Sequence, residues 1–386
     1  MKASASIAVL LMVLSYPACG QEPEQFTPLF NGRNLDGWQP VNTAPSTWTV
    51  KDGMLICSGK PIGELRTRRM YQNFVLEVEW RHLVPRGNAG IFVWADDITA
   101  KGQPFHRSIE VQVLENAYGN TRGYTTHGDI FPIHGAKMTP ENGRGGSRAF
   151  PTENRSKPSP EWNHYRIVCR DGAISLAVNG KVVTRGRDCQ PRKGYICLES
   201  EGGIVHYRNL RIRELPGDDL DEELIAQTDR GYRCLYTGVD LSGWIVPAAG
   251  RDLWKVNDWV LSWTGSEQDS GNVLQSESMI GDAGFIVDFR LKENSGPCRI
   301  QIRGVPVLSI DRAEARQSKL LAGGKGWNRL EGTLVGRQLS LTLNGKPLGE
   351  PRAVTDVEAS GSLVLAPTGP IDFANIYIRT IGQSER

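Results

Sequence analysis

The sequence predicts an all-β protein, a sandwich or jelly roll written twice in tandem. Three observations carry that expectation. Short runs alternate apolar and polar residues at a period of two, with almost no helical periodicity. Turn dipeptides separate the runs, and 43 Gly in 386 residues agree with many tight turns. A long motif near the start also returns in the second half of the chain.

Lys2 precedes an apolar run, Ile7 to Leu14, followed by Ser15-Tyr16-Pro17-Ala18-Cys19-Gly20. The run is shorter than the roughly 20 residues of a membrane span. Basic start, short apolar middle and small residues at a cut predict a signal peptide over 1–20, removed after Gly20. The mature protein is then exported, periplasmic or extracellular. Cleavage before Cys19 would make a lipid anchor, a pattern that Tyr16-Pro17-Ala18 matches poorly. No other segment is apolar for long enough to form a transmembrane segment. Of the seven cysteines, six remain after Cys19. That even number leaves disulfides open in an oxidising compartment. Cys57, Cys169 and Cys197, however, sit in apolar runs suited to plain buried thiols.

The repeat begins at Leu29-Phe30-Asn31-Gly32…Leu35-Asp36-Gly37-Trp38, echoed by Leu235-Tyr236-Thr237-Gly238…Leu241-Ser242-Gly243-Trp244. Trp162-Asn163 and Asn179-Gly180-Lys181 recur as Trp327-Asn328 and Asn344-Gly345-Lys346. Tyr207-Arg208-Asn209-Leu210-Arg211-Ile212 recurs as Phe373-Ala374-Asn375-Ile376-Tyr377-Ile378. Two homologous domains are expected, 26–215 and 232–382. Between them 216–231 holds the acidic run Asp218 to Glu223, a solvated linker or short helix. The offset between copies falls from 206 to 165, so the first domain carries 41 extra residues, mostly between Ile91 and Trp162. Within each copy, Phe74, Leu76, Val78 and Trp80 alternate as a half-buried strand does, and Asp171-Gly172 and Asn179-Gly180 are two-residue hairpin signals.

Charge excludes one large class of partner. Lys and Arg number 45 against 43 Asp and Glu, a net of +2, so nucleic acid is not expected. Candidate chemistry falls in the extra chain of the first domain. In Ser108-Ile109-Glu110-Val111-Gln112-Val113-Leu114-Glu115, Glu110 and Gln112 share a strand face, and a bulge near Leu114 would bring Glu115 onto it. A solvent-facing strand is the plain alternative. The loop Thr126 to Lys137 gathers His127, Asp129, His134 and Lys137 between Gly and Pro residues. Its spacing matches no standard metal motif, and histidines that merely cap turns are the plain alternative. Glu201 in the Gly-rich loop and Arg208 beyond it are further cleft candidates. Tryptophans that repeat between copies read as core, whereas Trp94 and Tyr118 have no double and suit sugar platforms. Arg66, Arg68 and Arg69 read as a solvated strand face.

The order of four segments carries a resemblance. They are the Leu29–Trp38 motif, Gly87-Asn88-Ala89-Gly90-Ile91-Phe92, Ile109-Glu110-Val111-Gln112-Val113-Leu114-Glu115-Asn116, and Glu161-Trp162-Asn163…Asn179-Gly180 with the closing Tyr207–Ile212 strand. Together they resemble the 3-keto-disaccharide hydrolase family, also described as 3-keto-glucoside lyase/hydratase. The second domain is similar in frame only, with Pro297-Cys298-Arg299-Ile300 where Asn-Ala-Gly-Ile should stand. The resemblance implies two tandem concanavalin A-like jelly rolls, the first catalytic and the second a reduced, non-catalytic copy. It implies an exported enzyme whose partner is a carbohydrate, a 3-keto sugar. The ketone acidifies the C2 proton, so a base can form an enolate that expels the C1 substituent, and hydration completes a net hydrolysis. Glu110 or His134 would be the base, and Lys137, His127 or a divalent cation would serve the oxyanion. Gln112 and Asn88 suit hydroxyl recognition. The need for a cofactor stays open.

Two other readings stand beside it. Glu110-x-Gln112-x-x-Glu115 has the spacing of the paired-acid strand of laminarinase-like retaining glycoside hydrolases, with Gln in place of the middle acid. Alternatively, both domains are non-catalytic carbohydrate-binding modules.

Overall fold

The structure, a computed structural model, describes residues 25–118, 127–292, 295–310, 320–322 and 326–382. The expected leader and the start of the Thr126 to Lys137 loop lie outside the described residues. Two β-sandwiches follow one another, each with its own apolar core.

In the first, one sheet runs in the order Lys137–Pro140, Lys181–Gln190, Ala173–Val178, Asn163–Arg170, Phe74–His82, Val205–Glu214, Met54–Cys57, Trp48–Lys51. The facing sheet runs Trp38–Val41, Gly63–Thr67, Tyr195–Ser200, Gly90–Ala95, Ser108–Gln112, Ile130–Ile133. All pairings are antiparallel, as hairpin-rich sandwiches require. The period-two pattern does its expected work. Phe74, Leu76, Val78 and Trp80 lie in the core, as do Leu65, Ile91, Val93, Ile109, Val111, Ile196 and Leu198 of the facing sheet. Alternation therefore sends Glu64, Glu110, Gln112 and Glu199 to the second sheet's outer face. The hairpin dipeptides adopt left-handed angles at both residues: Asp171 and Gly172 at φ 51 and 77°, Asn179 and Gly180 at 46 and 87°.

The second sandwich repeats the plan. Its larger sheet centres on Ile371–Thr380, Ala283–Leu291 and Asn328–Val335, and its smaller one on Leu363–Pro367, Cys298–Ile302 and Val305–Ile310. The repeat reaches individual hydrogen bonds. Trp38 donates its indole N–H to Leu29 O at 3.1 Å, and Trp244 does the same to Leu235 O at 3.1 Å. The Asn179 amide donates to Asn163 Oδ1 at 3.0 Å, and Asn344 to Asn328 Oδ1 at 2.9 Å.

Residues 216–231 are strapped to the first sandwich. One 3-10 turn, Glu222–Leu224, is followed by backbone bonds from Arg192 to Leu224 and from Ala226 to Lys193. Asp229 then pairs with Arg66 at 2.8 Å. The expectation of a solvated arginine run fails at Arg66, which is fully buried and stacks on Tyr195 with 4.0 Å to the ring centre. Its ion pair and that ring replace water.

The sandwiches meet through an insertion. The loop between Gly90–Ala95 and Ser108–Gln112 enters a polar cradle on the larger sheet of the second sandwich. There Gly102 N–H donates to Asp288 at 2.7 Å, and Arg329 donates to Thr99 O at 2.8 Å. Asn375 donates to Ala100 O and Gln103 O, both at 3.0 Å. The six described cysteines are free thiols. No helix among the described residues is long and apolar enough to cross a membrane.

Candidate active site

The outer face of the first sandwich's smaller sheet holds a nest of carboxyl groups. Three neighbouring strands supply its centre: Tyr195–Ser200 brings Glu199, Gly90–Ala95 brings Gly90, and Ser108–Gln112 brings Glu110. Gly90 has no side chain to separate the acids. A Cβ built on it would stand 2.7 Å from Glu199 Oε2 and 3.0 Å from Glu110 Oε1, so both carboxyls lean over this one residue. Their exposures are 6% for Glu110 and 1% for Glu199. No described group donates a hydrogen bond to Glu199 Oε2, although it is buried.

Burial decides how these acids titrate. Loss of solvation pushes Glu110 well above the ordinary carboxyl range, and the charge of Glu201 pushes it further. The guanidinium of Arg148 pulls the other way. Glu199 is raised by burial first, then by Glu110 and Glu201. Both carboxyls are thus held toward the protonated form, with the Arg148 guanidinium acting on Glu110.

Around them sits a polar rim. Gln112 donates to Asn88 Oδ1 at 2.8 Å, and the Asn88 amide donates in turn to Glu201. Arg148 lies over the Phe131 ring at 3.3 Å and pairs with Asp129 at 2.9 Å. Phe131 is the register partner of Glu110, which places this guanidinium beside the nest. On the far side Glu64 receives the His106 backbone N–H at 2.8 Å and lies 2.6 Å from its Nδ1.

Among the sequence candidates, Glu110, Gln112, Asn88 and Glu201 come together here, with Asp129 alongside through Arg148. His134 stands at the exposed rim, near enough for the charges of Glu64 and His106 to act on it. His127 is buried beside Glu115, with no described partner for Nδ1.

Four expectations are corrected. Glu115 does not turn toward Glu110. Its carboxylate accepts backbone N–H groups from Arg86 at 2.8 Å, Ala117 at 2.7 Å and Ser159 at 3.1 Å, so it ties loops together. The paired-acid reading of Glu110 with Glu115 falls with it. Trp94 is no sugar platform: at φ 56° the strand bulges and drives the indole into the core, fully buried, with its N–H on Gln72 O at 2.8 Å. Lys137 is exposed on the edge strand of the other sheet, next to Met138, which points into the core. Arg208 lies on the outer side of that other sheet, bound to Glu79 at 2.7 Å and stacked on Trp162 at 3.9 Å.

Sequence reasoning missed Glu199, Glu64 and Arg148. Glu199 had a signal: an acid at the alternate place of the otherwise apolar run Tyr195-Ile196-Cys197-Leu198. Arg148 had none, because its place depends on a loop folding back over Phe131.

One set of residues has the donor chemistry for a cation. Glu64, His106 and Cys197, all buried, offer ligand atoms within 4.8 Å of one another. The set also satisfies itself. Glu64 and His106 bind each other, His106 Nε2 lies 3.3 Å from Asp97 O, and burial holds the Cys197 thiol well above its usual value. No orphaned ligand atom calls for a metal.

Residues 25–213, the whole of the first sandwich, match the sequence model of the 3-keto-alpha-glucoside-1,2-lyase-like domain. The first sandwich belongs to this family. The lyase-like domain is accordingly of a carbohydrate-directed family, on a frame of two facing antiparallel sheets. Among solved structures, one candidate glycosyl hydrolase from Parabacteroides distasonis is 25% identical, covering 50% of this chain and 100% of its own, with a TM-score of 0.38. Another from that organism is 20% identical over 50% of this chain and 94% of its own, with a TM-score of 0.39. A Bacillus licheniformis β-glucanase is 13% identical over 50% and 100%, with a TM-score of 0.35. No curated protein matches the chain in sequence.

Proposed function

We propose that the lyase-like domain cleaves 3-keto-glycosides by removing the C2 proton, eliminating the C1 substituent and hydrating the product. The observation that carries this reading is the pair of buried carboxyls over Gly90, with the Arg148 guanidinium acting on one of them, within the family-matched domain. Elimination needs such a pair, one group to accept a proton and one to give it.

Glu110, eased toward ionisation by Arg148, takes the C2 proton. The electron pair of the C–H bond becomes the C2–C3 double bond of an enolate whose oxygen is the former C3 carbonyl; its collapse re-forms that carbonyl and makes the C1–C2 double bond as the C1 substituent leaves. Arg148 stabilises that developing charge, the part Lys137 cannot play. Glu199 protonates the departing C1 oxygen as the C1–O bond breaks. Water then adds, hydroxyl to C1 and proton to C2, with the two acids exchanging roles. Asn88 and Gln112 hold sugar hydroxyls. A cation at Glu64, His106 and Cys197 would add positive charge beside the nest, and none of these steps depends on it.

We further propose that the protein is exported, with residues 1–20 removed, and that its substrate is uncharged. The test is turnover of a 3-keto-glucoside by the full chain, with and without chelator, followed by the absorbance of the 2-hydroxyglucal product. An unoxidised β-glucan serves as the contrast for retaining hydrolysis. Glu110→Gln and Glu199→Gln should each abolish product formation. Wild-type rates in both would end the reading, and cleavage of the plain glucan alone would transfer it to the glycosidase class.

A further inference from the structure

We propose that the outer face of the second sandwich's larger sheet carries a saccharide-binding site of its own, separate from the carboxyl nest. Two neighbouring strands, Asn328–Val335 and Gln338–Leu343, supply its floor. Register sets Glu331 opposite Thr342 and Thr333 opposite Ser340. Alternation turns all four away from the core, which takes Leu330, Leu334, Leu339, Leu341 and Leu343. They are nevertheless half-buried, because a wall rises on each side of them. The chain joining the sandwiches gives Arg230 and Tyr232 to one wall, and the segment 347–351 forms the other. The space between is a cavity of about 450 Å³, within the usual range of small-ligand sites.

Donor and acceptor are held apart in this cavity. Arg230 donates through Nε and Nη2 to Asp97 at 3.0 and 3.2 Å, and its backbone N–H donates to the same carboxylate at 3.1 Å. The Tyr232 ring supports the guanidinium from 5.4 Å. So clamped, Arg230 keeps Nη1 toward Glu331, 3.9 Å away. That gap is too long for a hydrogen bond, so a charged donor and a charged acceptor face each other across it. Two adjacent hydroxyls of a sugar ring suit such a gap. One accepts from the guanidinium and the other donates to the carboxylate, and both bonds are charge-assisted. Thr333, Ser340 and Thr342 make no side-chain hydrogen bond with described residues, so their hydroxyls are available to the rest of the ring.

Charge narrows the class of ligand. The Arg230 cation is already matched by Asp97, and Glu331 and Glu350 in the lining oppose an anion. A simple cation at Glu331 would lie against the guanidinium. An apolar ligand would bury the carboxylate and hydroxyls unpaired. A peptide would find the floor backbone already paired within the sheet. A neutral polyol meets all four conditions. The repeat shows that these groups do not simply come with the frame. In the same register, the first sandwich has Arg166 opposite Ala177 and Val168 opposite Ser175, and its Arg166 pairs directly with Glu77.

The test is isothermal titration calorimetry of the full chain with unoxidised cellotetraose, laminaritetraose, mannotetraose and xylotetraose. At least one should bind saturably, in an event that Glu110→Gln leaves unchanged. Glu331→Gln, which removes the charge from one hydrogen bond, should weaken that event about tenfold. Thr342→Val keeps the shape without the hydroxyl and should weaken it about threefold. The readout needs no turnover, so it stands or falls apart from the proposed reaction. Failure of all four sugars to saturate, or binding indifferent to both second-sandwich changes, would overturn the proposal. Binding lost in Glu110→Gln would also overturn it, by placing the sugar in the first sandwich. A lysine-containing peptide that binds with the Glu331 dependence, where the sugars do not, would make the cavity a peptide site and end the proposal as well.

Discussion

Gly102→Ala tests whether the inserted loop holds the two sandwiches, and with them the active site, in place. Two costs are expected. Gly102 has φ +68°, where an L side chain costs about 1–2 kcal/mol. The new Cβ would also meet the Trp327 ring at 2.1 Å, and the rigid indole has to move, an overpacking cost of about 1–3 kcal/mol. Together they remove roughly 2–5 kcal/mol, which in domains of this size lowers the melting temperature by about 2–4 °C for each kcal/mol. A fall on the order of 10 °C is expected by calorimetry. Limited proteolysis should then find new cuts between residues 96 and 107. Gly180→Ala is the control: φ is +87° but nothing lies within 4 Å of the added methyl, so only the backbone cost applies. Turnover should also fall in Gly102→Ala, because the same loop supplies His106 to Glu64 and Asp97 O to His106. If Gly102→Ala melts and turns over like Gly180→Ala, the reasoning about the loop is wrong.

Three more outcomes follow from the site and its surroundings. Glu199→Gln should raise stability at pH 8 relative to wild type and change little at pH 4, read from denaturant midpoints. The folded pKa lies above the unfolded one, so the stability it confers is complete below the unfolded value, near pH 4.5, and is lost as pH rises toward the folded value. Glu115→Gln should behave oppositely: three backbone donors hold its pKa down, so its stabilisation of about 1–3 kcal/mol is present at neutral pH and fades on acidification. Trp94→Ala should cost about 3–5 kcal/mol in chemical denaturation, as an emptied core site does, and leave the affinity of folded protein for sugar unchanged.

Much of the architecture was legible because it depends on short-range chemistry. The Asn-Gly and Asp-Gly turns, the alternating strands and the tryptophan anchors are local signals, and duplication states each of them twice. Glu110, Gln112 and Asn88 were legible for a related reason, since period two fixes which side of a strand a residue takes. Glu199 was harder. Its partner is 89 positions away in sequence, and only the strand order that puts Gly90 between them makes a pair of the two acids. Trp94 was misread because it has no double in the second copy, and nothing nearby in sequence announces the left-handed bulge that turns it into the core. Glu115 was misread for the opposite reason. A bulge was expected to carry it to the cleft, but three unpaired N–H groups of neighbouring loops claimed the carboxylate first.

Gly90 is a spacer rather than a hinge. Its φ is not in the left-handed range, so backbone freedom does not explain a glycine there. What the position offers is a gap one hydrogen atom deep, and the gap sets how near two acids can approach. A methyl group at that point would act as a wedge between the Glu110 and Glu199 carboxyls. The separation of the pair rests on the smallest side chain in the molecule.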